Sequence, residues 1–247
     1  MKLPIKHRMI KTVPILLLFA VCLVLITTVD TVECRIESTK SEVITDAANK
    51  YNIRGLITVV PVRASQARND DTNILKGLIE CLIKYTGIEA KIDQSINLDS
   101  PRLLQYPFIY VNTGQSLDLT VSEKNNIQKY LTSGGFMVFE FSYQAFPGLK
   151  QYLPGNARLK TIPREHTLYH IFYEIEDSFF DGNIVERRSG DLTIGPYLMG
   201  IWFGDKLVGV YSDKRLGDEW ELYWIRKGGA DSRMRMGINM IMFALLG

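Results

Sequence analysis

The segment from Pro107 to Phe141, PFIYVNTGQSLDLTVSEKNNIQKYLTSGGFMVFEF, constrains the fold more than any other stretch of the chain. It reads as strand, loop, helix, stop and strand. Thr120 with Glu123 three residues later is a capping box. Ile127, Tyr130 and Leu131 then fall on one helical face, as a helix lying on a sheet requires. Gly134 supplies the left-handed residue that ends a helix at low cost. Phe136 to Phe139 is an unbroken apolar run, the mark of a strand buried on both faces. Two strands joined through a helix must run parallel. A parallel sheet opens its ligand crevice at the carboxyl ends of its strands, here Asn112 to Asp118 and Glu140 to Tyr143.

The remaining segments fit the same architecture. Leu56 to Val62 is rich in β-branched residues and reads as the first strand. Asp71 or Thr72 can cap a helix whose stripe is Ile74, Leu78, Cys81, Leu82 and Tyr85. Gly87 stops it before a short strand at Glu89 to Ile92. The strands at 56–62, 89–92, 107–111 and 136–140 are expected side by side in one parallel sheet. Tyr143 to Leu153 suits a short helix. Leu198–Phe203 and Lys206–Tyr211 flank Gly204-Asp205, a hairpin of type II′. A closing helix is expected from about Ser232 to Leu246, with Met234, Ile238, Ile241, Met242 and Leu245 inward.

The first 29 residues stand apart. Lys2, Lys6, Arg8 and Lys11 precede an uncharged segment, 12–29, and Asp30 follows. Its length and flanks suit a signal anchor, with a cleaved signal peptide as the alternative. The charge asymmetry keeps the N-terminus cytoplasmic and sends the rest across. The expected organisation is thus an anchor over 1–29, a polar stalk over 30–52 and an α/β domain over 53–247. This would be a single-pass protein of the cytoplasmic membrane, its domain in the periplasm or outside the cell. Without the first 29 residues, 25 basic residues face 27 acidic ones. Such a domain has no electrostatic reason to seek nucleic acid.

Three cysteines occur. Cys22 lies in the apolar segment, Cys34 in the stalk, and Cys81 on a helix stripe, where a buried thiol is expected. No Cys or His spacing suggests a metal site or a cofactor. His166 and His170 would share a face if helical, with Asp177 and Asp181 following, but no third ligand is evident.

Several segments together resemble a bacterial family, domain of unknown function 4159. They are Asn73-Ile74-Leu75, Thr86-Gly87-Ile88, Thr113-Gly114, Leu119 to Glu123, Tyr130-Leu131 and Gly134-Gly135-Phe136. Further on come Pro163, His166, Leu168 to His170, Phe172-Tyr173, Tyr211-Ser212, Leu216-Gly217, Trp220-Glu221 and Arg235 to Gly247. The resemblance implies a three-layer flavodoxin-like fold of the class I glutamine-amidotransferase type, with a mainly parallel sheet. Here a β-hairpin and an N-terminal transmembrane helix would be added to it. It also implies a setting among envelope proteins of aerotolerance type, with a MoxR-type ATPase and von Willebrand A domains as partners. It supplies no reaction. Where relatives often read Thr-Gly-His-Gly, this chain has Thr113-Gly114-Gln115-Ser116. Where they often carry two acidic residues after the Gly-Gly-Phe strand, it has Glu140-Phe141. The crevice is therefore poorer in polar groups.

Candidate chemistry is sparse. The amidotransferase cysteine is absent. Ser142 is the nearest hydroxyl, but it lacks the flanking glycines of a nucleophile elbow. A triad of Ser142, His166 and Glu140 would make a hydrolase for cell-wall or carbohydrate material. The stronger expectation is a non-catalytic binding or scaffold module. Any ligand should sit over Asn112, Thr113, Gly114, Gln115, Ser116, Glu140 and Tyr143, with His166 at the wall. Strand-end side chains bury little area, so Glu140 and His166 are expected to be replaceable without loss of fold. The aromatic cluster Trp202, Phe203, Tyr211, Trp220, Tyr223 and Trp224 reads as core more readily than as a sugar- or protein-binding patch.

Overall fold

The computed structural model describes residues 42–46, 49–65, 71–114, 116–175, 198–226 and 231–247. Residues Ile36–Gly247 form one compact unit by their own contacts. The apolar segment 12–29, Cys22, Cys34, Gln115, Asp177 and Asp181 lie outside the described residues. Among the described residues, no helix is long and apolar enough to cross a membrane.

The chain is α/β with mixed sheets. The largest has five strands in the order β6-β7-β10-β9-β8. Here β6 is Phe108–Gly114, β7 Phe136–Phe141, β8 Arg158–Thr161, β9 Met199–Phe203 and β10 Lys206–Ser212. The crossover helix α2, Val121–Thr132, joins β6 to β7, which pair in parallel from Phe108↔Phe136 to Gly114↔Phe141. Both halves of the capping box form: Glu123 N–H donates to Thr120 Oγ1 at 3.2 Å, and Thr120 N–H donates to Glu123 Oε2 at 2.8 Å.

The hairpin forms as expected but is no appendage. β10 sits in the middle of the sheet, parallel to β7 on one side and antiparallel to β9 on the other. Gly204 has φ of +59° and no positive φ occurs at Asp205. A positive φ at the first turn residue only is the mark of type II′ rather than I′.

The expectation of four parallel strands in one ladder is corrected. β2, Asn49–Val59, pairs in parallel with β4, Gly87–Ile92, in a separate three-stranded sheet. Pro61 and the short strand β3, Val62–Arg63, follow β2, and β3 ladders with β5, Ile96–Asn97. Proline has no N–H to offer a ladder, and the break falls beside it. β3 approaches β6 and links the two regions. Within the segment expected as a stalk, β1 (Glu42–Asp46) pairs antiparallel with β2.

Alternation along the central strands divides the core. Phe108, Tyr110, Phe136 and Val138 face helices α1 (Thr72–Tyr85), α3 (Leu216–Arg226) and α4 (Ser232–Leu246). Ile109, Val111, Met137 and Phe139 face α2 and the 3-10 turn at Tyr143–Tyr152. The closing helix α4 matches its expected bounds, but its whole middle is buried, from Met236 to Met242. Asn239 lies in that middle and bonds the backbone of Tyr173 twice, accepting its N–H and donating to its carbonyl at 2.8 Å each. Helix α3 was not expected from the sequence. It packs on α1 so closely that a Cβ on Gly77 would stand 1.7 Å from the Trp220 carbonyl oxygen.

Candidate functional site

The carboxyl ends of β6, β7 and β10 carry the candidate residues, and the amino ends of α2 and α3 arrive at the same edge. Asn112 lies opposite Glu140 and Gly114 opposite Phe141. Ser142 N–H donates to the Gly114 carbonyl at 2.7 Å, closing the two strand ends together. Asn112 Oδ1 accepts the Gly114 N–H at 2.9 Å, and the Asn112 N–H points at Asp71 Oδ2, 3.4 Å away. Thr113 Oγ1 is the one buried side-chain polar atom without a hydrogen bond among the described residues. Ser116 is exposed. Tyr143 stacks on Phe146, with ring centroids 6.3 Å apart.

Glu140 is not displayed in the crevice. It is 6% exposed, and its carboxylate accepts three hydrogen bonds. Leu216 N–H donates to Oε1 at 2.5 Å; Gly217 N–H and Tyr110 Oη–H donate to Oε2 at 2.8 and 2.6 Å. The first two are the free amides at the start of α3, so Glu140 caps that helix from across the sheet. Burial pushes its carboxyl above the usual range, against the three donors, which favour the charge. The backbone just before the helix is strained: Arg215 holds φ of +57° and pairs with Asp218.

The expectation that Glu140 is a lightly buried strand-end side chain is corrected: it is 6% exposed and accepts two backbone amides at the start of α3. The proposed pairing of acid and nucleophile also does not assemble. Ser142 Oγ–H donates to Gln144 Oε1.

His166 lies at the other end of the sheet. It packs on Trp202 and Phe243, with centroids 5.3 and 5.5 Å away. Phe243 in turn meets Phe136, the first residue of β7, and Phe136 is about 13 Å along that strand from Glu140. The imidazole accepts the Leu168 N–H on Nδ1 at 3.2 Å and so caps a short 3-10 turn, Thr167–Tyr169. Burial lowers its pKa below 6.5. His170 ends the same turn and faces elsewhere, with Nδ1 2.6 Å from Glu174 and Nε2 2.7 Å from the Arg164 carbonyl. The two histidines do not share a helical face.

Three groups at the crevice edge had no site reading from sequence. Glu123, beyond its capping role, accepts the N–H and Oγ–H of Ser65 at 2.6 and 2.9 Å. It thereby ties the loop after β3 to α2. Burial disfavours its charge, but the donors from Thr120 and Ser65 outweigh that and lower its pKa. Ser212 is buried at the end of β10 and accepts the Lys214 N–H at 3.0 Å. Lys214 is 7% exposed, and burial lowers its pKa. Glu123 was legible as half of a capping box and within the family resemblance, and Ser212 only within that resemblance; Lys214 left no trace in the sequence.

The profile of the family described as domain of unknown function (DUF4159) matches residues 57–245. The chain belongs to this family. Its matched region starts inside β2 and ends inside α4, so it spans both central ladders and all four described helices. No curated protein matches the chain. Among the matched residues, Leu216 and Gly217 donate the amides that Glu140 accepts, and Trp220 packs with Tyr110 at a centroid distance of 5.1 Å.

The remaining site chemistry is modest. Cys81 is free and buried, its thiol pushed up to about 12 by burial, which keeps it protonated and inert. The aromatic cluster divides. Trp202, Tyr211, Trp220 and Tyr223 are core, whereas Trp224 is exposed.

Proposed function

We propose that this chain is a membrane-tethered, extracytoplasmic binding or scaffold module of a cell-envelope assembly. In this reading it is a flavodoxin-like domain of the class I glutamine-amidotransferase type. Parallel β6, β7 and β10 with helices on both faces support that assignment. The observation that carries the non-catalytic reading is the use of Glu140. The strand-end carboxylate that an acid–base mechanism needs is committed to backbone amides and Tyr110. A general base must reach the proton it takes, and Glu140 faces the core. The tether is residues 12–29. The partners are proteins of envelope assemblies of aerotolerance type, which include a MoxR-type ATPase and von Willebrand A domains.

The surface left for a partner is the rim formed by Asn112, Thr113, Gly114, Ser116 and Tyr143. A photo-crosslinking residue at Tyr143 in the full-length protein, expressed in its native membrane, tests this. An adduct with an envelope protein is the expected result. It should be lost when Ser116 is replaced by a bulky charged residue. Turnover of cell-wall or carbohydrate substrate by the purified protein, abolished in Ser142→Ala, would overturn the reading in favour of a hydrolase.

A further inference from the structure

We infer that the carboxyl ends of α1 and α3 form a surface that rests on the headgroup region of an anionic lipid bilayer. Among the described residues, six large apolar side chains are exposed, and four of them lie here: Ile83, Tyr85, Trp224 and Ile225. The two helix ends lie together, because Gly77 of α1 meets Trp220 of α3 and, about two turns further along α1, Lys84 meets Tyr223. Lysines accompany the aromatic rings. Lys76 Nζ stands 5.6 Å from the Trp224 ring centre and Lys84 Nζ 4.9 Å from that of Tyr85.

Tryptophan and tyrosine beside lysine, with aliphatic side chains between them, is the composition that sits at a membrane–water interface. The rings take the boundary layer, and the lysine stems reach outward to lipid phosphate.

The inference rests on the tethered reading above, which supplies the second argument. Between the apolar segment 12–29 and the start of β1 at Glu42 lie only residues 30–41. Fully extended they reach about 40 Å, about one domain diameter. The domain is therefore held at high effective concentration against the bilayer. The β1–β2 hairpin points the same way: β2 extends from Arg54, opposite Gly87, back to Asn49, past the end of the sheet where α1 terminates. The crevice rim lies at the opposite end of the strands and would face outward, towards a partner.

The chain has three tryptophans, and Trp202 and Trp220 are buried, so surface quenching reports on Trp224. The full-length protein is reconstituted into vesicles of equal parts phosphatidylcholine and phosphatidylglycerol, with a nitroxide lipid labelled at headgroup depth. The expected result is loss of one tryptophan's share of the emission. That loss should be absent in Trp224→Phe, abolished in Ile83→Glu/Ile225→Glu and weakened by high salt. These residues are exposed, so the variants should keep the wild-type melting temperature. Absence of quenching in protein that resists a carbonate wash overturns the inference and leaves the tether standing. So does quenching that survives the double variant, or copy-to-copy disulfide formation through Ile225→Cys. Release of the protein by carbonate overturns the tethered reading itself.

Discussion

Tyr110 donates its hydroxyl to Glu140 at 2.6 Å in the interior of the sheet's edge. The bond joins neighbouring strands and directs the carboxylate at the start of α3. Two of the free amides of α3, the helix that carries Trp220 and packs on Gly77, depend on this carboxylate.

Glu140→Ala leaves two backbone amides and a tyrosine hydroxyl buried without acceptors. Each such loss costs about 1–3 kcal/mol, so a destabilisation of about 3 kcal/mol or more is expected, read by chemical denaturation. Glu140→Gln keeps one acceptor but turns an amide towards a donor, and should fall between wild type and alanine. A wild-type melt for the alanine variant would refute the capping role.

His166 accepts a hydrogen bond and must be neutral to do so. Its pKa is lowered in the folded state, so the unfolded chain binds the proton more readily. The stability it contributes is present above pH 6.5 and is lost as pH falls through its lowered value. His166→Asn preserves an acceptor without the titration. The variant's melting temperature should vary less than that of wild type between neutral pH and the lower end of the histidine range.

Glu123 behaves in the same direction at lower pH. Its lowered pKa means that its contribution is present above the ordinary carboxyl value of 4.5 and is lost as pH falls through the folded value. Glu123→Gln should remove that acid limb and free the loop at Ser65, seen as faster amide exchange after β3.

Gly77→Ala places a methyl group where the Trp220 carbonyl stands. Backbone must yield, and overpacking of this kind costs about 1–3 kcal/mol. The expected signature is a lower melting temperature together with greater exposure of Trp220, detectable as a red-shifted emission.

Arg215 occupies the left-handed region with a side chain that gains only an exposed pair with Asp218. Arg215→Gly removes the backbone strain at some cost in chain entropy and should remain within about 1 kcal/mol of wild type. Arg215→Val, branched at the strained position, should be less stable by about 1–2 kcal/mol.

The elements legible in the sequence were those whose signals are local. The Thr120–Glu123 box, Gly134 and the Phe136–Phe139 run sit within one crossover, and their reading survives nearly residue for residue. Helix α3 was not legible, for a definite reason. Its cap is Glu140, 76 residues before Leu216, and no serine, threonine or asparagine announces its start. The same separation misled the reading of the site. A glutamate at a strand end looks available from sequence, because the amides that occupy it belong to a distant segment. The separation of His166 from Glu140 was equally hidden. Only the packing of Trp202 and Phe243 decides which end of the sheet the histidine joins.

The central position of β10 has a consequence for how such a domain can be made. Val210 lies between Val138 of β7 and Gly200 of β9, so the middle of the sheet is supplied by the last of the described strands in chain order. A chain passed across the membrane from the anchor onward would present β6 and β7 early. It would then wait for residues 206–212 before the far half could attach. Until then the edge of β7 is an open row of backbone donors and acceptors, a site for a chaperone or for mispairing. Closure of the five-stranded sheet is thereby tied to delivery of residues 206–212, and chains stalled before Lys206 should remain open to proteases.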